Sequence, residues 1–153
     1  MGKRRDGREA AVQFLFAHEL HAEHSLAEQS AFWDIHSAKA SVRAYAEELI
    51  KGVLANLEQI DAVISPVVEN FRIERLANVD RNILRVAVYE LLHVPVVPAP
   101  VILNEAIEVA KNLGGNESGA FVNGVLHRIS KSIRPKAAAR PAVSSEPKTE
   151  IPS

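Results

Sequence analysis

The residues best suited to chemistry stand at the start of the sequence, where four basic side chains form the cluster Lys3-Arg4-Arg5-x-x-Arg8. Cations in this pattern bind phosphate, and the planar guanidinium of arginine bonds phosphate bidentately or stacks on a base. The chain has a formal net charge of −1, yet residues 1–8 carry +3 and residues 9–134 carry −5. The sequence therefore predicts a basic N-terminal arm over residues 1–8 on an acidic body. A solubilising N-terminus without a partner is the alternative interpretation.

Two aromatic residues follow this arm within a helical pattern. Phe16 shares one face of the pattern with Val12, Leu15 and Leu20, which predicts that its ring belongs to the core. Phe14 lies roughly on the opposite face. An exposed Phe14 ring would stack on a base, whereas a buried one would pack beneath another helix, and both alternatives stay open.

Catalysis and metal binding find little support in the residue pattern. The sequence contains no cysteine, no Gly-x-Ser-x-Gly turn and no glycine-rich phosphate loop. His18, His21 and His24 point in different directions around a helix, and Glu90-x-x-His93 lacks the second copy that a di-metal bundle needs. The sequence predicts no enzyme, no metal site and no cofactor.

Long stretches without glycine or proline indicate the elements that carry these residues. Neither type occurs between Arg8 and Lys51 or between Val67 and Val94, whereas strand-rich folds need turn residues about every 8–12 positions. The pattern predicts an all-α fold of about seven helices and no strand. Residues 9–134 form the predicted helical domain. Residues 135–153, rich in proline, alanine and serine, are predicted to be a disordered tail.

Capping residues and helix breakers locate several helix ends. Ser65-Pro66 is predicted to begin one helix, because proline is tolerated in a first turn. Another helix is predicted over residues 80–93. The next is predicted to begin near Pro100 and to end at Gly114-Gly115, and the last to run from there to about Ile133.

Gly124 stands inside that last predicted helix, where glycine costs about 1 kcal/mol relative to alanine. Close approach of a neighbouring helix is the expected reason, with ligand contact as the alternative. Asn123 beside it carries an amide that bonds either a neighbouring helix or the edge of a base.

Four stretches carry a further signature. They are residues 5–15 with the pattern R-x-x-R-E-x-A-V-Q-x-L, residues 78–92 (NVDRNILRVAVYELL), residues 104–111 (NEAIEVAK) and residues 118–126 (SGAFVNGVL). In type, spacing and order they resemble the NusB family of bacterial transcription antitermination factors. The resemblance covers about residues 3–133.

The resemblance implies two packed helical subdomains and a cytoplasmic role in processive antitermination on ribosomal RNA operons. It implies binding of single-stranded boxA-type RNA together with the ribosomal protein NusE, within the transcription elongation complex. The positions it implies for RNA contact are Lys3, Arg4, Arg5, Arg8, Phe16, Glu117, Phe121 and Asn123. Those it implies for the NusE interface are Asp80, Arg81 and Glu105.

Three residues depart from the family pattern. Asp6 stands where the arm commonly has another arginine, Gly7 replaces a helix former, and Phe16 occupies a position that is often tyrosine. We therefore expect a looser arm, weaker RNA affinity and greater reliance on the partner protein.

Two other function classes remain as alternatives. The RNA-binding domain of ribosomal RNA cytosine methyltransferases is a similar helical domain, but we expect no enzyme here, because the residues after Ile133 leave no room for a cofactor-binding α/β domain. A structural homodimer that binds only protein is the other alternative. RNA binding distinguishes that dimer from an antitermination factor.

Overall fold

The computed structural model of the chain describes residues 2–20, 26–68 and 72–134, without the side chains of residues 26–28. These residues form seven α-helices and one 3-10 turn, Ile73–Arg75, and contain no strand, so the predicted all-α fold is confirmed. The helices are α1 (Lys3–Glu19), α2 (Leu26–Ile35), α3 (Ala40–Ala55), α4 (Leu57–Ile64), α5 (Asn78–His93), α6 (Ala99–Gly114) and α7 (Asn116–Ile133). The predicted tail, residues 135–153, lies outside the described residues.

Helix α5 is the element against which the others pack. Helices α1 and α3 form one pair, α6 and α7 form another, and α5 contacts both pairs as well as α4. The buried face of α5 includes Leu84, Val88 and Leu91. One core therefore joins an N-terminal group, α1–α4, to a C-terminal group, α5–α7. None of the described helices combines the length and apolar character that crossing a membrane requires.

Proline and glycine set the ends of α6 and α7 as predicted. Pro98 precedes α6 in an extended conformation and Pro100 lies in its first turn, where the missing N–H leaves no helical bond unmade. Gly115, with a φ of 92°, ends α6 and directly precedes α7. This left-handed conformation favours glycine, which has no Cβ to clash.

The predicted helix start at Ser65-Pro66 is wrong. Ser65 has helical dihedral angles, and its N–H donates to the carbonyl of Asp61, so it continues α4. Pro66 has no N–H with which to extend the helical ladder, and it therefore ends this helix instead of beginning another.

Two glycines allow helices to approach each other closely. A Cβ atom on Gly7 would lie 2.7 Å from Cδ2 of Tyr45, across the contact between α1 and α3. Gly7 is buried, so the expected loosening of the chain at this residue is wrong. A Cβ atom on Gly52 of α3 would overlap the ring of Tyr89 on α5. Bare backbone at these two positions sets the spacing of the helices.

Gly124 has no such role. Apart from the backbone of its own helix, no heavy atom of the described residues lies within 4 Å of a Cβ atom placed on Gly124. The residue is also exposed. Close packing against a neighbouring helix, the predicted reason for this glycine, is therefore wrong.

Arg134 closes the C-terminal end of α5. Its guanidinium donates to the carbonyls of Glu90, Leu91, Val94 and Val97, at 3.1, 3.0, 3.1 and 2.6 Å. The carbonyls of Glu90 and Val94 also accept backbone N–H bonds, from Val94 and Val97. A cation at the C-terminal end of a helix also interacts favourably with the helix dipole. The residue after α7 thus fastens α7 to the end of α5.

Glu19, the last residue of α1, is held by two arginines of α5. Arg81 donates to its carboxylate at 2.5 and 3.2 Å and Arg85 at 2.5 Å. Arg85 also binds Asp61 of α4 through two bonds of 2.9 Å. Desolvation raises the pKa of Glu19, but the hydrogen bond and charge of Arg81, together with those of Arg85, outweigh it and lower that pKa.

We expect Gly52→Ala to destabilise the fold by about 1–3 kcal/mol, because the added methyl group overlaps the Tyr89 ring. Gly124→Ala is the matched control: its methyl group meets open space, and alanine is favoured over glycine in a helix by about 1 kcal/mol. Urea unfolding followed by circular dichroism measures both variants. Equal midpoints would contradict the close approach of α3 to α5.

Glu19 is expected to make the stability of the fold depend on pH. Because its pKa is lowered from 4.5 by folding, its contribution is present above that pH and is lost as the pH falls through the folded value. Glu19→Gln should therefore lower the free energy of unfolding by about 1 kcal/mol at neutral pH. On acidification, the free energy of unfolding of this variant should fall less than that of the wild type.

Glu47→Gln is the control, since the pair of Glu47 with Arg43 lies on an exposed face of α3 and such pairs contribute little. Urea midpoints between about pH 3 and about pH 7 test the expectation. Parallel profiles of Glu19→Gln and the wild type would contradict it.

Candidate nucleic-acid interface

The basic cluster is part of helix α1, because that helix begins at Lys3. Lys3 and Arg4 are exposed, Arg5 is partly exposed, and Arg8 is buried. The residues predicted as an arm are thus the first two turns of a helix that packs on α3, α5 and α6. The orientation of α1 about its own axis therefore determines which of these side chains are exposed and which are buried.

Arg8, one of the predicted RNA contacts, is bound inside the protein. It is 4% exposed, and its Nε and Nη2 atoms each donate to the carboxylate of Glu90 at 2.8 Å. The Tyr45 hydroxyl donates to the same carboxylate at 3.2 Å. Desolvation and the charge of Glu90 raise the pKa of Tyr45 to about 12, so the hydroxyl remains a donor at neutral pH. The Nε–Nη2 edge of Arg8 is therefore occupied by Glu90 and does not offer a bidentate phosphate contact.

Arg5 makes a second pair, with Glu105 of α6. Its Nε and Nη2 atoms donate to the two carboxylate oxygens at 2.8 and 2.7 Å. The side chains of Arg5 and Glu105 are 25% and 20% exposed. The hydrogen bond from Arg5 lowers the pKa of Glu105 against the opposing effect of desolvation. This pair is therefore reached by solvent, unlike that of Arg8.

The prediction that Phe16 belongs to the core is wrong, and of the two alternatives for Phe14 the structure shows the buried one. Phe14 is 2% exposed and packs edge-on against Phe32 of α2 with ring centroids 5.3 Å apart. Phe16 is 37% exposed. Helix α1 packs on several neighbours at once, so its buried arc is wider than a single apolar stripe. That arc includes Phe14 and leaves Phe16 at its rim.

The α7 residues predicted to contact RNA lie at the start and on the outer face of that helix. Glu117 and Asn123 are exposed, and Phe121 is half-buried against the core. Ser118 is buried between them and donates a hydrogen bond to the carboxylate of Asp80. This bond joins the first turn of α7 to the first turn of α5.

Hydrogen bonds between helices show how the predicted residues are arranged. Arg5 binds Glu105, and one turn further Glu9 accepts a bond of 2.6 Å from Asn112, so α1 and α6 run in the same direction. The end of α1 meets the start of α5 through Glu19, and the start of α5 meets the start of α7 through Asp80. The cations therefore lie near the start of α6, and Phe16 lies towards the start of α7.

All three residues implied for a NusE interface have partners within the protein. Asp80 accepts from Ser118, and Glu105 binds Arg5. Arg81 binds Glu19 and also donates to the carbonyl of Leu76 at 2.8 Å. Each therefore has a structural role, which the sequence alone did not indicate, because the partners are distant in the chain.

The histidine and glutamate patterns form no metal site in the described part of the chain, where no group of three or more suitable side chains converges. His18 stacks on Phe14 with ring centroids 5.5 Å apart, whereas His21 and His24 lie outside the described residues. Glu90 binds Arg8, and Nε2 of His93 lies 2.8 Å from Oε1 of Gln59.

Known proteins match this chain over most of its length. The family model described as NusB family matches residues 5–131. Transcription antitermination protein NusB of Sorangium cellulosum is 47% identical over 133 residues, which cover 87% of this chain and 95% of that protein.

Solved structures agree in fold. NusB of T. maritima is 39% identical with a TM-score of 0.76 and covers 89% of this chain and 96% of its own. A structure of antitermination factors NusB and NusE in complex with dsRNA contains a chain that is 26% identical, with a TM-score of 0.75 over 86% of this chain and 98% of its own. Since both the family model and the relatives extend across the helical domain, the chain belongs to the NusB family of transcription antitermination proteins, which are not enzymes.

Proposed function

We propose that this chain binds single-stranded RNA of the boxA type together with the ribosomal protein NusE, in the elongation complex on ribosomal RNA operons. The proposed place of action is the cytoplasm. The observation that carries the RNA part is the exposure of Lys3 and Arg4 on the same helix as the exposed ring of Phe16. Cations for phosphate and a ring for a base then belong to one rigid element. The related structure with NusE and dsRNA supports both kinds of partner.

The proposed interface contains one set of residues suited to phosphate and another set suited to bases. Lys3 and Arg4 supply exposed cations, whereas Arg5 is paired with Glu105 and the Nε–Nη2 edge of Arg8 is bound to Glu90. The Phe16 ring stacks on a base but has no hydroxyl with which to bond it. Asn123 and Glu117 are exposed polar groups suited to base edges. Stacking and edge contacts need unpaired bases, which favours a single strand.

The NusE surface is proposed on the C-terminal group of helices. Because Asp80, Arg81 and Glu105 already have internal partners, a docking protein must share these groups or replace one of their bonds. A homodimer that binds only protein is the alternative function. Loss of RNA binding after changes to exposed cations would exclude it.

We expect the double variant Lys3→Ala, Arg4→Ala to bind RNA about tenfold more weakly at 0.1 M salt. With phosphate contacts from Lys3 and Arg4, the logarithm of wild-type affinity should fall against the logarithm of salt concentration with a slope of about −1.4, and the variant should lose most of that slope. Fluorescence anisotropy with a boxA-type oligonucleotide at several salt concentrations measures both quantities.

Arg43→Ala is the matched control, because Arg43 is an exposed helical arginine outside the proposed surface. It should leave both affinity and slope close to those of the wild type. A flat salt response of the wild type would rule out phosphate binding by the start of α1.

Phe16→Ala is expected to weaken RNA binding by about 5- to 150-fold, because stacking of a base on an aromatic ring contributes about 1–3 kcal/mol. The fold should tolerate this change, since the ring is 37% exposed. Phe16→Tyr keeps the ring and serves as the control that retains binding. Equal RNA affinity of Phe16→Ala and the wild type, at an unchanged urea midpoint, would remove Phe16 from the interface.

A further inference from the structure

We infer that Glu105 competes with an RNA phosphate for Arg5, and that the cleft beside this ion pair is a phosphate site that the free protein keeps occupied by its own carboxylate. This inference rests on the proposed function and names one of its binding sites. It assigns Glu105 a role in limiting RNA affinity.

The cleft has the size and charge that a phosphate group needs. Its volume is about 250 Å³, and it is lined by Gly2, Arg4, Arg5, Arg8, Val101 and Glu105. Three guanidinium groups therefore surround one carboxylate. Nη1 of the buried Arg8 lies 3.8 Å from Oε1 of Glu105, so a fixed cation also faces the place where that carboxylate sits.

The geometry of the pair makes carboxylate and phosphate alternatives. Glu105 binds the Nε–Nη2 edge of Arg5 with two bonds, and this is the edge with which arginine recognises planar or tetrahedral oxyanions bidentately. While Glu105 occupies this edge and neutralises its charge, Arg5 contributes little to the binding of a phosphate. The hydrogen bond from Arg5 lowers the pKa of Glu105, so the carboxylate is ionised at neutral pH and the competition operates there.

Partial exposure makes the exchange reversible. The side chains of Arg5 and Glu105 are 25% and 20% exposed, whereas those of Arg8 and Glu90 are 5% and 1% exposed. Solvent screens the first pair and weakens it, but replacing a partner of the second would leave a buried charge. Of the two pairs, only that of Arg5 can therefore open to admit a phosphate at small cost.

Arg5 is also the cation that lines up with the proposed stacking residue. Eleven residues separate Arg5 from Phe16, which places them about 20° apart around α1 and about 17 Å apart along it. Lys3 and Arg4 lie more than about 100° from Phe16 around the same helix. A strand that stacks a base on Phe16 and follows α1 reaches Arg5.

Glu105→Gln tests the inference, because the amide keeps the shape of the side chain and removes its charge. Anisotropy titrations of the full chain with a boxA-type single strand are made with and without NusE. Without NusE they should show about fivefold tighter binding, and this arm decides, because Glu105 also belongs to the proposed NusE surface. The salt slope should become more negative by about 0.7, the contribution of one additional phosphate contact. In an Arg5→Ala background, the same change should give no gain.

Glu108→Gln is the matched control. It removes one negative charge from the same helix, three residues away, where Glu108 pairs with Lys111 at 3.7 Å. Its RNA affinity should change less than about twofold. Urea midpoints establish that the variants are folded. If Glu105→Gln is not folded, Glu105→Asp replaces it in the comparison, because aspartate keeps the charge but is too short to reach Arg5 in the same way.

The outcomes separate this inference from the function on which it rests. Equal gains for Glu105→Gln and Glu108→Gln would reduce the effect to general charge and overturn the competition. No gain for Glu105→Gln, with normal salt-dependent binding by the wild type, would overturn it as well and leave the proposed function intact. Absence of RNA binding by the wild type under both conditions would instead refute the proposed function.

Discussion

A buried ion pair between Arg8 of α1 and Glu90 of α5 fixes the orientation of α1, and the proposed interface depends on that orientation. Removing two charges from water costs several kcal/mol per ion, which good geometry and additional hydrogen bonds must offset. Here two bonds of 2.8 Å supply the geometry, and the Tyr45 hydroxyl from α3 satisfies a further lone pair. One carboxylate therefore ties three helices together. With Arg8 turned inward, Gly7 must face Tyr45, and Phe16 is left at the rim of the buried arc.

The same pair changes what the N-terminal charge means. Four basic residues within the first eight suggest a flexible polycation, but two of them bind carboxylates 82 and 100 residues away in the chain. Lys3 and Arg4 are the exposed members of the cluster. The acidic body is correspondingly less repulsive near α1 than its total charge suggests, because Glu90 and Glu105 are compensated there. Local charge at the surface, rather than the charge of a sequence segment, sets how strongly RNA is attracted.

Local signals in the sequence located the helices whose ends are set by backbone chemistry. Pro100 and Gly115 act within one turn of helix, so α6 and α7 were predictable from those residues alone. Predictions that depended on the neighbours of a helix were less successful. The apolar stripe of α1 suggested a buried Phe16, but contacts with several helices widened the buried arc to include Phe14. Gly7 and Gly124 look equivalent in sequence, yet one lies against Tyr45 and the other faces open space. The basic cluster was visible in residue type and charge, Phe16, Glu117 and Phe121 were assigned to the site only by family resemblance, and the pairing partners came only from the structure.

The bonds of Arg134 to the end of α5 depend on the order in which the chain is synthesised. Arg134 donates to the carbonyl of Glu90, which lies 44 residues earlier in the chain. At a translation rate of about 5–20 residues per second, the end of α5 waits about 2–9 s on the ribosome before its closing cation is made. During that interval the carbonyl of Glu90 has the N–H of Val94 as its donor but lacks the guanidinium bond of Arg134. The contact that fastens α7 to the end of α5 can therefore form only after nearly the whole helical domain has been synthesised.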